Sequence, residues 1–209
     1  MIDRNKSLQG RTTIVTGSGQ NIGRGIALLF ASCGANVVIN GHKNQEAIEK
    51  VAQEARDLGT QAIAVMADVS NPSQVQEMVD TANQKFGAVD IIVSNVSLRR
   101  KQPFLDISIE DWHDVINTNL SSAFYLAKAA VAGMKERGWG RIIHISGFDG
   151  TIGASHRAHN VTCKGGLEAL VKGLATEIGP YGITANAISP GTIDTDRIAK
   201  DYPDLEAKY

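Results

Sequence analysis

The chain is poor in most of the features that mark specialised proteins. Only Cys33 and Cys163 are cysteines among 209 residues, too few for a disulfide framework or a zinc site. No metal-ligand set stands out. Basic and acidic residues number 21 and 22, a net charge of −1. That balance disfavours a basic nucleic-acid binder. No apolar run approaches the roughly 18 residues that cross a bilayer, and the opening MIDRNKSLQG lacks the apolar stretch of a secretory leader. Apolar residues at 43% and charged residues at 21% exclude the low-hydrophobicity, high-charge signature of disorder. The expectation is one cytoplasmic domain over 1–209, without a membrane or nucleic-acid partner, long enough to bury its own core.

What is present is an alternation. RTTIVTG (11–17), ANVVIN (35–40), AIAVM (62–66), VDIIVSN (89–95), GRIIHIS (140–146) and GITANAIS (182–189) read as six strands. Helical patterns lie between them, at 22–33, 44–58, from Pro72 onward, 109–137 and 155–179. Asn71 suits a helix N-cap and Pro72 a first helical position. The strands are continuously apolar, as in parallel strands covered on both faces. The expected fold class is therefore α/β, a doubly wound parallel sheet with right-handed crossovers. Leu167, Leu170, Val171, Leu174 and Ile178 repeat at helical spacing and read as core.

Thr16-Gly17-Ser18-Gly19-Gln20-Asn21-Ile22-Gly23 follows the first strand and opens a helix. Backbone N–H groups at such a turn can face a pyrophosphate, helped by the helix N-terminus. Gly17 suits the tight turn and Gly23 close helix–strand packing. Asn21, standing where another glycine is expected, tolerates left-handed backbone and also suits an N-cap.

Five further patterns join this loop: Asp68-Val69, Ser94-Asn95-Val96-Ser97, Asn119 within INTNL, Lys164, and Pro190-Gly191-Thr192-Ile193-Asp194-Thr195. In order and spacing the six resemble the short-chain dehydrogenase/reductase family over almost the full chain. The resemblance implies a Rossmann-like fold, NAD(P)-dependent oxidoreductase activity, a small-molecule substrate and a homo-oligomer, dimer or tetramer. It places Gly17, Ser18, Gln20, Asn21, Ile22 and Gly23 on the pyrophosphate and ribose, and Asp68 and Val69 beside the adenine. Asn95 falls at the switch point of the sheet, on the adenosine side. Lys164 falls on the nicotinamide ribose, and Pro190, Gly191, Ile193 and Thr195 meet the carboxamide and pyrophosphate. Asn119 would hold a water in a proton relay, or simply bond to neighbouring backbone.

Enzymes of this type that use NAD place an acidic residue after the second strand. Here the stretch reads Asn40-Gly41-His42-Lys43, with no carboxylate, so NADP is preferred over NAD, with His42 and Lys43 available to the 2′-phosphate.

The catalytic pattern breaks. Four residues before Lys164, where the family carries its proton-donating tyrosine, stands Asn160, and the serine position holds Gly147. Tyr125, Tyr181, Tyr202 and Tyr209 all lie far from the lysine in sequence. Asn160 can donate a hydrogen bond but no proton near neutral pH. If the helix has begun by residue 156, His156, Asn160 and Lys164 share one face, making His156 a substitute acid. Asp149 and Ser146 lie near the end of the fifth strand, each with a plain structural alternative. Arg99-Arg100-Lys101 reads as a solvated run that could also meet a substrate carboxylate or phosphate.

These residues point to an oxidoreductase acting on a small carbonyl or conjugated enone with an altered proton donor. Asn119, Asn160, Lys164 and His156 are its candidate catalytic residues. The alternatives are a lyase or isomerase on the same fold, and a non-catalytic dinucleotide sensor or partner subunit. The chain ends in DYPDLEAKY (201–209), a polar helical pattern, where family members continue into a covering helix and a seventh strand. The expectation is a piece of a longer protein, because an unpaired sixth strand leaves an exposed sheet edge.

Overall fold

A computed structural model of the chain describes residues 7–195, so the 201–209 expectation lies outside the described residues. The six apolar runs form β1 (Thr12–Val15), β2 (Asn36–Gly41), β3 (Ala62–Met66), β4 (Ile91–Ser94), β5 (Gly140–Ile145) and β6 (Ile183–Ile188). All pairings are parallel, in the order β3-β2-β1-β4-β5-β6. Because β1 sits between β2 and β4, the direction of winding reverses there. In such sheets the crevice opens at the carboxyl ends of the strands flanking that reversal.

Between the strands run α1 (Asn21–Ser32), α2 (Gln45–Asp57), α3 (Pro72–Phe86), α4 (Ile109–Ile116), α5 (Ser122–Glu136), the one-turn α6 (Asp149–Ile152) and α7 (Ala158–Ile178). Asn71 caps α3 by accepting from the Ser73 and Gln74 amides, with Pro72 in the first turn and Gly87 closing it at φ +85°. One face of the sheet packs Ile14, Ile92 and Ile142 against α3, α5 and α7. The other packs Val15, Ile39 and Val93 against α1 and α2. Burying each such side chain contributes about 1.5–3 kcal/mol. Leu167, Val171 and Ile178 are buried and Leu170 and Leu174 half-buried, as expected for a core stripe.

Two helical expectations are corrected. The stretch 109–137 is not one helix. A π-helical segment, Asn117–Ser121, separates α4 from α5 and carries buried Asn119. The last long helix begins at Ala158, not 155. Its preceding residue Arg157 is non-helical at φ −137°, and His156 adopts the left-handed φ +61°.

Candidate active site

The glycine loop leaves β1 under tight steric limits. Gly17 has φ +62°, and a Cβ there would come within 2.9 Å of Val96 Cγ2. At Gly23 a Cβ would lie 2.6 Å from Asn95 Nδ2 and would collide with the Gly17 carbonyl. Asn21 accepts the left-handed conformation at φ +50°. It is the first helical residue rather than the N-cap, a position that Gln20 holds.

Three side chains fix the loop. The fully buried Ser18 donates from Oγ to the Val15 carbonyl at 2.6 Å and accepts the Asn40 amide at 3.0 Å. Its own amide donates to the Asn40 carbonyl. Ser18 therefore faces inward, away from where the resemblance put it. Asn40 accepts the Gly17 amide at 3.2 Å and donates to the carbonyls of Val65 and Ala67. Asn95 donates to the carbonyls of Thr16 and Gly17 at 3.1 and 3.2 Å, stitching β4 to β1 at the switch point. Asn40 was read only as the lack of a carboxylate; its bracing role had no sequence signal beyond its place at a strand end.

A cleft of about 690 Å³ opens at this point. It brings together Gly17, Gln20, Asn21, Ile22, Gly23 and Asn95 with Asn160 and Lys164. Pro190, Gly191, Ile193 and Thr195 close a third side. Ser18, His42, Asp68, Val69, Asn119 and His156 do not line it. Val69 is buried in the core under β1. Asp68 accepts the Ser70 amide and hydroxyl at 2.9 and 2.8 Å and lies 3.8 Å from His42 Nε2. Burial raises its pKa, but the Ser70 bonds and the charges of His42 and Lys43 outweigh that and leave it lowered.

Around Asn160 the polar groups are tied to one another. Asn160, 5% exposed, accepts from Asn119 Nδ2 at 3.1 Å and donates to the Arg100 carbonyl at 3.2 Å. Asn119 also brackets Leu98, accepting its amide at 2.6 Å and donating to its carbonyl at 2.9 Å. The Asn160 amide donates to His159 Nδ1 at 2.9 Å. His159 Nε2 lies 3.2 Å from Gln102 Oε1. Burial lowers the His159 pKa, with the hydrogen bond to the Arg157 backbone opposing it and the charge of Arg100 adding to it. The sequence argument for His156 fails here. His156 lies outside α7, is exposed, and shares no helix face with Asn160 and Lys164.

Lys164 points from α7 beneath β5, donating to the Ile145 carbonyl at 2.8 Å. Burial pushes its pKa down to about 8, with nearby Arg99 adding to the effect and Cys163 and Asp149 opposing it. Gly147 borders it, and a Cβ there would meet Lys164 Cε at 3.6 Å, an ordinary contact. Ser146 turns inward to the Lys164 carbonyl and Glu168. Asp149 pairs with Arg157 at 3.1 Å, and Arg157 lines the cleft, a placement the sequence reading did not anticipate. The tight backbone at Gly17 and Gly23, set against the first turn of α1, fits a pyrophosphate. The resemblance would place the adjoining ribose and nicotinamide toward Lys164 and 190–195.

A glycine-rich turn at the switch point of a doubly wound sheet, sharing one cleft with a lysine, defines a dinucleotide-binding α/β protein. The short chain dehydrogenase family model matches residues 11–206, and the chain belongs to that family of NAD(P)-binding oxidoreductases. It is 34% identical to a D-beta-hydroxybutyrate dehydrogenase of Rhizobium meliloti, over 93% of this chain and 76% of that one. It is 36% identical to the 3-oxoacyl-(acyl-carrier-protein) reductase FabG of Pseudomonas aeruginosa, over 96% and 80%. A protein assigned as a short-chain alcohol dehydrogenase from Sinorhizobium meliloti superposes with TM-score 0.92 at 29% identity. That match covers 97% of this chain and 80% of the other. Among the described residues, no helix is long and apolar enough to cross a membrane.

Proposed function

We propose that this protein is an NADP-preferring oxidoreductase that reduces a small carbonyl or conjugated enone, with Lys164 replacing tyrosine as proton donor. The observation that carries this reading is the single cleft shared by the glycine loop, Lys164 and 190–195. The reduced dinucleotide would supply hydride to the substrate carbon. The chain's part is positional and protonic. Gly17 and Gly23 allow close approach of backbone to phosphate, and Asn95 and Asn40 hold that backbone still. An ammonium has three N–H groups, and Lys164 uses one on Ile145. Another can polarise the carbonyl oxygen and release its proton as the alcohol forms, water then reprotonating the amine. A pKa near 8 suits that transfer near neutrality. Asn119 and Asn160 act at one remove, fixing the loop after β4 against α7.

NADP preference rests on the end of β2. His42 and Lys43 are exposed there, while Asn40 is buried and turned inward. A homo-oligomer, dimer or tetramer, in the cytoplasm belongs to the same proposal, supported by the exposed Phe104, Leu105, Ile109 and Phe124. The hydrogen bonds that tie up the Asn160 side chain favour one alternative, a dinucleotide binder without redox turnover. That class includes a lyase or isomerase, and a sensor or partner subunit. Titration with NADPH and NADH, followed by a carbonyl and enone panel read at the nicotinamide absorbance, separates these readings. The expected result is at least tenfold tighter NADPH binding and oxidation by some panel member. Tight binding with complete silence would move the assignment to the alternative.

A further inference from the structure

Among the described residues lining the cleft, cationic side chains outnumber carboxylates. Arg99 enters from the loop after β4 and makes no ion pair or side-chain hydrogen bond with the described residues. Its neighbours in the basic run behave differently. Arg100 pairs with Asp111 and Asp114 on α4, and Lys101 is exposed outside the cleft. Lys164 has one hydrogen bond, to a carbonyl, and no ion pair among the described residues. Ser97 lines the same cleft with its Oγ buried and unpartnered. Asp149 is the single carboxylate among the described lining residues, and it is matched by Arg157. Arg99 stands near enough to Lys164 to disfavour its charged form. Arg99 is exposed and Lys164 half-buried; two cations bordering one cleft repel each other, and an anion placed between them reverses that energy.

Resting on the oxidoreductase reading, we propose that the substrate is an oxo acid whose carboxylate binds Arg99, the residue that selects for its charge. A guanidinium offers paired, parallel N–H groups to a carboxylate, a match that a point charge lacks. The carbonyl then faces Lys164, beside the space left open at Gly147.

Calorimetry tests this independently of turnover. Pyruvate, acetoacetate and 4-oxopentanoate are each titrated against their methyl esters, neutral counterparts of nearly the same shape, into the protein saturated with NADP⁺. At least one acid should bind tenfold or more tightly than its ester, and Arg99→Gln should reduce that ratio to below threefold. Lys101→Gln removes an equal charge outside the cleft and should leave the ratio within twofold of wild type. Equal binding of every acid and ester would overturn the proposal. So would an acid preference that survives Arg99→Gln, or one that Lys101→Gln reduces as far. A positive calorimetric result with no change in nicotinamide absorbance on adding oxo acid to the NADPH complex would instead sink the reductase reading and leave carboxylate selection standing.

Discussion

Replacing Lys164 with methionine removes a charge from a place where burial disfavours it, while keeping a similar unbranched side chain. The fall in pKa from the ordinary 10.5 to about 8 corresponds, at about 1.4 kcal/mol per pH unit, to roughly 3 kcal/mol against the charged form. Losing the hydrogen bond to the Ile145 carbonyl takes back about 1 kcal/mol. The variant should therefore be about 2 kcal/mol more stable than wild type at pH 7. The sign follows from which state holds the proton more tightly. The folded pKa lies below the unfolded one, so the unfolded chain binds more protons between about pH 8 and 10.5. Wild-type stability gains from this group as pH rises through that window, and the methionine variant lacks that gain. For a chain of this size 2 kcal/mol is a Tm difference of about 4–8 °C. Thermal unfolding of both proteins at pH 7 and pH 10.5 measures it, with the difference shrinking to about the lost hydrogen bond, and reversing sign, at the higher pH. A variant less stable than wild type at pH 7, or an equal gain at both pH values, would refute the reasoning. The same substitution should abolish carbonyl reduction, so stability and function pull in opposite directions at this residue.

His144 on β5 is fully buried, with no hydrogen-bond partner at good geometry for either ring nitrogen among the described residues, and burial, opposed by the Ile143 backbone, holds its pKa down at about 4. Stability should therefore fall by up to about 3 kcal/mol as pH drops from 6.5 toward 4, and His144→Leu should flatten that decline in urea titrations across the range. Gly147→Ser should leave Tm nearly unchanged, within about 0.5 kcal/mol, because the nearest atom to a new Cβ is 3.6 Å away. Asn160→Tyr should cost about 2–4 kcal/mol by the same measurement, since it overfills a 5% exposed site and strips partners from Asn119 and Arg100.

The strands were legible because both faces of a parallel sheet are covered, so each is an uninterrupted apolar run and its ends fall within about two residues. The α3 start was equally plain, since an Asn side chain and a proline act within one helical turn. The π-helical segment was not legible. Periodicity from 109 to 137 cannot register one turn that shifts from one hydrogen-bonding pattern to another, and that shift places Asn119 where it reaches Leu98 and Asn160. His156 failed for a related reason. Counting back by fours assumes a helix, and a left-handed residue two positions before its start removes the shared face. In the glycine loop the sequence located the tight turn at Gly17 and Gly23 but could not show that Ser18 turns inward. That orientation depends on Asn40, 22 residues away in the chain.

Asn160, Gly147 and Lys164 all line one cleft, so the first two residues both bear on the space that Lys164 faces. Asn160 joins the π-helical segment, the loop after β4 and α7 in one set of hydrogen bonds, so the residue at 160 now bears on backbone placement. That same bonding holds the carbonyl of Arg100, the residue after Arg99. A tyrosine there would have to displace these bonds before it could reach a substrate. Glycine at 147, meanwhile, puts no side chain between the cleft and the terminal carbons of Lys164. On the proposed reading, these two residues leave the approach to the cleft to the Lys164 ammonium. A double variant, Gly147→Ser with Asn160→Tyr, is therefore expected to lose stability before it gains ketone reduction, because a tyrosine at 160 must first displace the bonds that place the surrounding backbone.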